Sequence, residues 1–415
     1  MRRTIIGAAL FLFVFIVYLG VATKFTYIPR WELDHLNPLA KALSSFRLDI
    51  PDPSSRYDLI FYKGRWYAPW GILAAMFLIP MQVAAGRYVP AIYLTVLFAS
   101  INVLVVSVLL LRIRREFFPE MSLFDIFVFL TFFAFGTAQF YVGTLGSSWH
   151  VDQMVTTTFS ILGIAVIFKK KRKTLDYLLS VGLFSITLLG RATMVLLVSI
   201  PAVLYLVQYV HTKGWSISSF KRVVVRGIVI FGLPLGLFSL LFFFYNYLRF
   251  ENPFEYGYRY IQEAPYLASI RLSQGIMSWT NLRHNIWYFL FEVPAIIYDH
   301  GVKLRFSLEG NSIFFLSPGF FAIILAKPFF SYRGRFTLDP YRLSLWFASV
   351  ATMSPSLFLY STGWMQFGYR YSLDIVLPLL LLCVFGMKGK TNAVFSLGVV
   401  FSLWIYYTGI RALNP

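Results

Sequence analysis

Five residues just beyond the first long apolar run, Trp31-Glu32-Leu33-Asp34-His35, put two carboxylates and an imidazole within reach of one another. A carboxylate held there at a membrane surface, partly desolvated under aromatic rings, has its pKa raised and can act as a general base. The same spacing also fits a solvated loop with ion pairs to Arg30 or Lys24, which are energetically slight. Further along the stretch, Asp49, Asp52 and Asp58 interleave with Arg47, Arg56, Lys63 and Arg65. Asp34 is the expected base, with Glu32 and Asp58 as the alternatives.

Other chemistry-bearing residues lie far from this stretch in the chain. In GTLGSSWHVDQM, His150 and Asp152 open a helix, where a carboxylate either caps free amides or faces the acidic cluster of the first loop. Arg191 follows LFSITLLG, and Tyr369-Arg370 lies in GWMQFGYRYSLDIVLP. Arginines at such helix ends are costly unless paired or functional. Arg370 can pair with Asp374 four residues on, or serve with Arg191 as an anion clamp, since a guanidinium donates two parallel hydrogen bonds to phosphate. The segment FYNYLRFENPFEYGYRY sets Arg249 and Glu255 among aromatic rings, a composition suited either to sugar faces or to interfacial anchoring. No HxxxH or paired Cys/His spacing points to zinc, and the single Cys383 excludes an intramolecular disulfide.

The elements that must position these residues are membrane helices. Of 415 residues, 58% are hydrophobic and 13% charged, about half the charged share of a soluble chain. Apolar runs long enough to span a bilayer recur throughout. The pattern predicts an all-α polytopic membrane protein with eleven spans near 5–23, 90–111, 123–142, 151–168, 175–190, 193–210, 227–247, 312–326, 342–361, 373–387 and 393–410. It forms one integral membrane domain over 1–415, with long outer loops at 24–89 and 248–311. The net charge of +19 sits in short loops such as Lys169–Lys173. That is the positive-inside pattern of a plasma-membrane protein with a cytoplasmic N-terminus, not a nucleic-acid face. MRR followed by a long apolar run without a small-residue cleavage site reads as an uncleaved signal anchor.

Within the first outer loop, Asn37–Arg47 has helical apolar spacing and reads as an amphipathic surface helix. Lys63-Gly64 reads as the turn between two aromatic strands. Trp70–Ala85 is short and contains Pro80, so a half-inserted helix fits it better than a span.

With an acidic residue soon after the first helix (Glu32, Asp34), the YxGRxYxPxG-like stretch Tyr62–Gly71 and Asp152 at the second outer loop, the layout resembles the GT-C superfamily of membrane glycosyltransferases. LLGRATMVLLVSIPAVLYL, YNYLRFENPFEYGY and FGYRYSLDIVLPLLLL are similar to stretches of its bacterial members. The chain departs from that pattern in having no Asp-Glu pair after the first helix, no WWDYG-like motif and no large soluble domain after the last helix. The resemblance implies an inverting transfer of a hexosyl or pentosyl group from a polyprenyl-phosphate donor to an acceptor hydroxyl on a glycan, lipid or protein at the extracytoplasmic face. It implies Asp34, Glu32, Asp58 and Asp152 as catalytic carboxylates. It further implies His35, Arg56, Tyr62, Arg65, His150, Arg191, Arg249, Glu255, Tyr369 and Arg370 as substrate or phosphate contacts. It requires no cofactor and leaves a divalent metal open. The alternative readings are a transporter or flippase of a lipid-linked glycan and a non-catalytic assembly protein.

Overall fold

The computed structural model describes the chain except residues 1, 26–32, 214–216, 299–300, 333–334, 364 and 414–415. Glu32, with Arg30 and Trp31, thus lies outside the described residues.

Helix α1 (Arg2–Ala22) is apolar on every face and free of proline, so nothing interrupts it. After it, α2 (Leu36–Ser44) starts because Asp34 caps it: the amides of Leu36 and Asn37 donate to Asp34 Oδ1 at 2.9 and 3.0 Å. Its buried face of Leu36, Leu39 and Ala40 rests on α3 (Leu73–Ala85), as the apolar spacing predicts. Between them β1 (Ile60–Tyr62) pairs antiparallel with β2 (Arg65–Tyr67). Lys63 and Gly64 both take positive φ, 46° and 78°, the two-residue turn whose twist matches that of the strands. At 13 residues, α3 is about 20 Å long, short of a hydrocarbon core of about 30 Å.

The central bundle follows: α4 (Ile92–Glu116), α5 (Leu123–Phe135), α6 (Ala138–Gly143), α7 (Ser148–Ile167) and α8 (Thr174–Ser185). Thr137 caps α6 after a break at Gly136, so the run expected at 123–142 is two helices. Helix α8 tightens to a 3₁₀ turn, the chain reverses at Gly190-Arg191, and a second 3₁₀ turn leads into α9 (Ser199–Lys213). The apolar runs on either side of Gly190 therefore pack as a hairpin. Helix α10 (Ile217–Gly227) continues through a π turn into α11 (Leu233–Phe250). Pro234, which has no amide to donate to Ile230, explains the irregular turn.

The second long loop carries α12 (Pro265–Gln274), α13 (Trp279–Leu290) and a hairpin of β3 (Ala295–Tyr298) and β4 (Val302–Arg305). Then come α14 (Ile313–Leu316), the hairpin β5 (Phe329–Tyr332) with β6 (Arg335–Leu338), α15 (Pro340–Phe358), α16 (Val376–Gly386) and α17 (Ala393–Leu413). The last two hairpins are short additions to a chain that is otherwise mostly helical. The run at 312–326 is not one helix either: Pro318 drives Ser317 to φ −132°, ψ 68°, and a 3₁₀ segment follows.

Among the described residues, six helical segments are long and apolar enough to cross a membrane: Ile5–Ala22, Ile92–Glu116, Ser148–Ile167, Ala192–Tyr209, Val223–Phe250 and Ala393–Leu413. This is a mostly helical, multi-pass membrane protein. Its buried apolar side chains form one large cluster through the bundle and a small one of Ile60, Tyr67, Phe250 and Ile261. That small cluster stitches the two long loops together. There the Asp58 amide donates to Gln262 O at 2.6 Å, the Gln262 amide donates to Leu59 O at 2.8 Å, and Ile60 bridges Ile261.

Candidate functional site

The stitch between the loops places Asp58 beside Glu263, at one wall of a cleft whose other walls are Trp70, Trp149, Tyr258, Tyr360 and Arg370. Asp58 holds a left-handed backbone, φ 60°, in the turn before β1. Its carboxyl is pushed up to about 7, chiefly by burial and further by the nearby Glu263 carboxylate, with the Arg370 cation opposing. Glu263 itself is committed: Arg271 Nε donates to it at 2.5 Å and the Tyr360 hydroxyl donates to its other oxygen. No described residue hydrogen-bonds the Asp58 carboxyl.

Arg370 faces Asp58 from the 3₁₀ turn before α16. It is 9% exposed, and its Nε and Nη1 are buried with no hydrogen-bond partner among the described residues. Its guanidinium lies over Trp149 and Tyr371, 5.7 and 5.4 Å from the ring centroids. Gly363 makes room for it, since a Cβ there would come within 2.8 Å of Arg370 Nε. A buried guanidinium with unused donors is expensive unless an anion joins it.

Arg191, by contrast, is spent. Its Nε and Nη2 donate to Asp374 Oδ2 at 3.1 and 2.8 Å, and Gln153 Nε2 donates to Asp374 Oδ1 at 2.7 Å. The pair expected within one helix, Arg370 with Asp374, is therefore not formed. Residues 370–375 are 3₁₀ rather than α, and at three residues per turn a residue four along points a third of a turn away.

The first loop is docked onto α7, behind the cleft. The His35 amide donates to Ser148 Oγ at 2.8 Å, the Ser148 amide donates to Leu33 O at 3.0 Å, and His35 Nε2 bonds Tyr57 O at 2.8 Å. The rings of His35 and Trp70 stack at 5.9 Å, Trp70 and Trp149 lie 6.3 Å apart, and Arg370 covers Trp149. One ladder thus runs from the loop to the cation. Beneath it, His150 Nδ1 is 2.5 Å from Ser147 Oγ, while its Nε2 and Asp152 Oδ1 are buried with no partner among the described residues.

The other sequence candidates are placed apart from the cleft. Asp34 is occupied as the α2 cap, its second oxygen taken by the Asn37 amide. Arg249 ties α11 to the first loop, donating to Ala68 O and Asn246 Oδ1 at 2.7 Å each. Glu255 accepts the Gly257 amide at 2.7 Å, and Tyr62 donates to Phe250 O at 3.2 Å. Tyr369 is buried with its hydroxyl on Asn285 Oδ1 at 3.1 Å. Arg56 lies exposed over Trp66, 5.3 Å from the ring, and Arg65 is exposed. Glu263 and Tyr360 were not anticipated, and no local pattern marks them, whereas Tyr258 belongs to the aromatic segment FYNYLRFENPFEYGYRY. Trp70 is the next-to-last residue of the Tyr62–Gly71 motif and Trp149 adjoins His150, so both had a signal. Among the described residues, no three His, Cys, Asp or Glu side chains stand together to hold a metal ion.

No protein-family model matches this chain, and no curated protein or solved structure matches it significantly.

Proposed function

We propose that this protein is a GT-C-like membrane glycosyltransferase that moves a sugar from a polyprenyl-phosphate donor to an acceptor hydroxyl with inversion. The observation that carries the reading is the pairing of Asp58, a carboxyl held near neutrality, with Arg370, a buried cation with unused donors, in one aromatic cleft. Asp58 takes the acceptor hydroxyl's proton as that oxygen forms its bond to the anomeric carbon. The bond from that carbon to the phosphate oxygen breaks, and its electron pair leaves with polyprenyl phosphate. Arg370 stabilises the charge that develops there, so strong general-acid help is unnecessary. Trp70, Trp149 and Tyr258 supply ring faces against which a pyranose can stack. His35 and the Arg191–Asp374 pair position the walls.

In this reading the chain crosses the plasma (inner) membrane eleven times, with shorter helices and 3₁₀ segments making up the crossings beyond the six long helices. The N-terminus is cytoplasmic, α3 is half-inserted and the cleft is extracytoplasmic. No cofactor takes part in the steps above. Purified protein incubated with a panel of polyprenyl-phosphate hexoses and pentoses and a membrane extract of glycan, lipid and protein acceptors is expected to release polyprenyl phosphate with at least one of them. No turnover with any donor, or full turnover by Asp58→Asn, would remove the reading.

A further inference from the structure

At the opposite end of the bundle, the basic run Lys169–Lys173 borders a cavity of about 590 Å³ lined by Arg172, Lys173, Tyr177, Tyr205 and Arg226. Its position is set by three apolar elements that end there together: α8 starts at Thr174, the span Ala192–Tyr209 finishes beside it, and the span Val223–Phe250 begins. The cavity is therefore level with a membrane–water boundary. It is continuous, through Thr174, Arg226 and Ile230, with a groove walled by Leu178, Val225 and Val229. A basic chamber thus opens directly onto an apolar trough running along the helices.

The charges are arranged for an outside anion. Arg172 is fixed by donating from Nε to the Tyr177 hydroxyl at 3.0 Å and from Nη1 to the Tyr341 hydroxyl at 2.8 Å. The nearby Asp176 is already taken by Lys169 at 2.7 Å. Lys173 and Arg226 are exposed and form no ion pair with a described residue.

We propose that this cavity binds one anionic phospholipid, its phosphate among Arg172, Lys173 and Arg226 and an acyl chain in the trough. A free phosphate would meet the cations but leave the trough empty. A neutral lipid would fill the trough but bring a compensating cation toward the arginines. The site is separate from the cleft of Asp58 and Arg370 and does not depend on the activity proposed there.

The test uses full-length protein in mixed micelles, with phosphatidylglycerol, phosphatidylcholine or inorganic phosphate as the probe and native mass spectrometry as the readout. Wild type is expected to retain one phosphatidylglycerol in preference to phosphatidylcholine. The double variant Lys173→Gln/Arg226→Gln is expected to lose about 30-fold in that affinity, as two interfacial cations contribute. Val229→Trp, which narrows the trough and leaves every charge, is expected to lower lipid retention as well, and this covers the case in which the double variant fails to fold. Equal retention of the two lipids, or retention unchanged in both variants, overturns the proposal. So does displacement of phosphatidylglycerol by millimolar inorganic phosphate, which would make the ligand a soluble anion.

Discussion

Asp34 and Asp58 lie on the same loop, and each has an arginine or lysine within a few residues, yet their surroundings differ in kind. The Asp34 carboxylate is filled by its own neighbours, two backbone amides and the Asn37 side chain, all within three residues. Asp58 meets no local donor; its neighbours are Glu263 and Arg370, brought from distant parts of the chain. The two arginines repeat the contrast, Arg191 being neutralised by Asp374 while Arg370 Nε and Nη1 meet no acceptor among the described residues. In each pair, the residue whose hydrogen bonds are complete holds the fold, and the one left incomplete faces the cleft.

That contrast can be broken most forcefully at Arg370. Arg370→Ala is expected to lower turnover of a polyprenyl-phosphate sugar about 10³-fold, with Arg370→Lys in between, because a positioned donor on developing charge is lost. Activity within a few-fold of wild type would end the distinction between the two arginines.

Asp58→Asn is expected to cost about 10²-fold and to flatten the acidic limb of the rate profile, which in wild type rises through pH about 7. Stability should move the opposite way with pH. Between about pH 4, where an ordinary carboxyl releases its proton, and about 7, folded Asp58 keeps a proton that the unfolded chain has lost. Stability therefore falls as pH rises across that window, and Asp58→Asn should remove this part of the slope in thermal melts.

Arg191→Gln should act on the fold, costing about 2 kcal/mol by stranding buried Asp374, with much of the loss recovered in the double variant Arg191→Gln/Asp374→Asn. The smallest effect belongs to Asp34→Ala, about 1 kcal/mol from the lost cap and turnover within a few-fold. A loss at Asp34 as large as at Asp58 would show that the first-loop edge, and not the cleft, carries the chemistry.

The sequence made local features readable and distant ones not. The Lys63-Gly64 turn, the apolar face of Leu39 and Ala40 and the short helix after Trp70 all depend on residues a few positions apart, and each is present. The helix expected over Asn37–Arg47, however, stops at Ser44 and leaves Phe46 exposed. The choice between Asp34 and Asp58 depends on Glu263 and Arg370, which no periodicity links to the first loop. The Arg370–Asp374 expectation assumed an α-helix, and a 3₁₀ turn, whose side chains are out of phase four residues on, redirects Asp374 to Arg191. The broken run at 312–326 had its cause in plain view, since Pro318 sits inside it.

The helical segment Val223–Phe250 has a consequence of its own. Over 28 residues it is about 40 Å long, and only 11% of the residues in its most apolar stretch are buried against the rest of the protein. Its ends are fastened differently: Arg226 borders the basic cavity, and Arg249 grips Ala68 just after the β1–β2 hairpin. A rod longer than the hydrocarbon thickness answers a thinner bilayer by leaning. Leaning would draw on the Arg249–Ala68 bond and hence on the β1–β2 hairpin that follows Asp58.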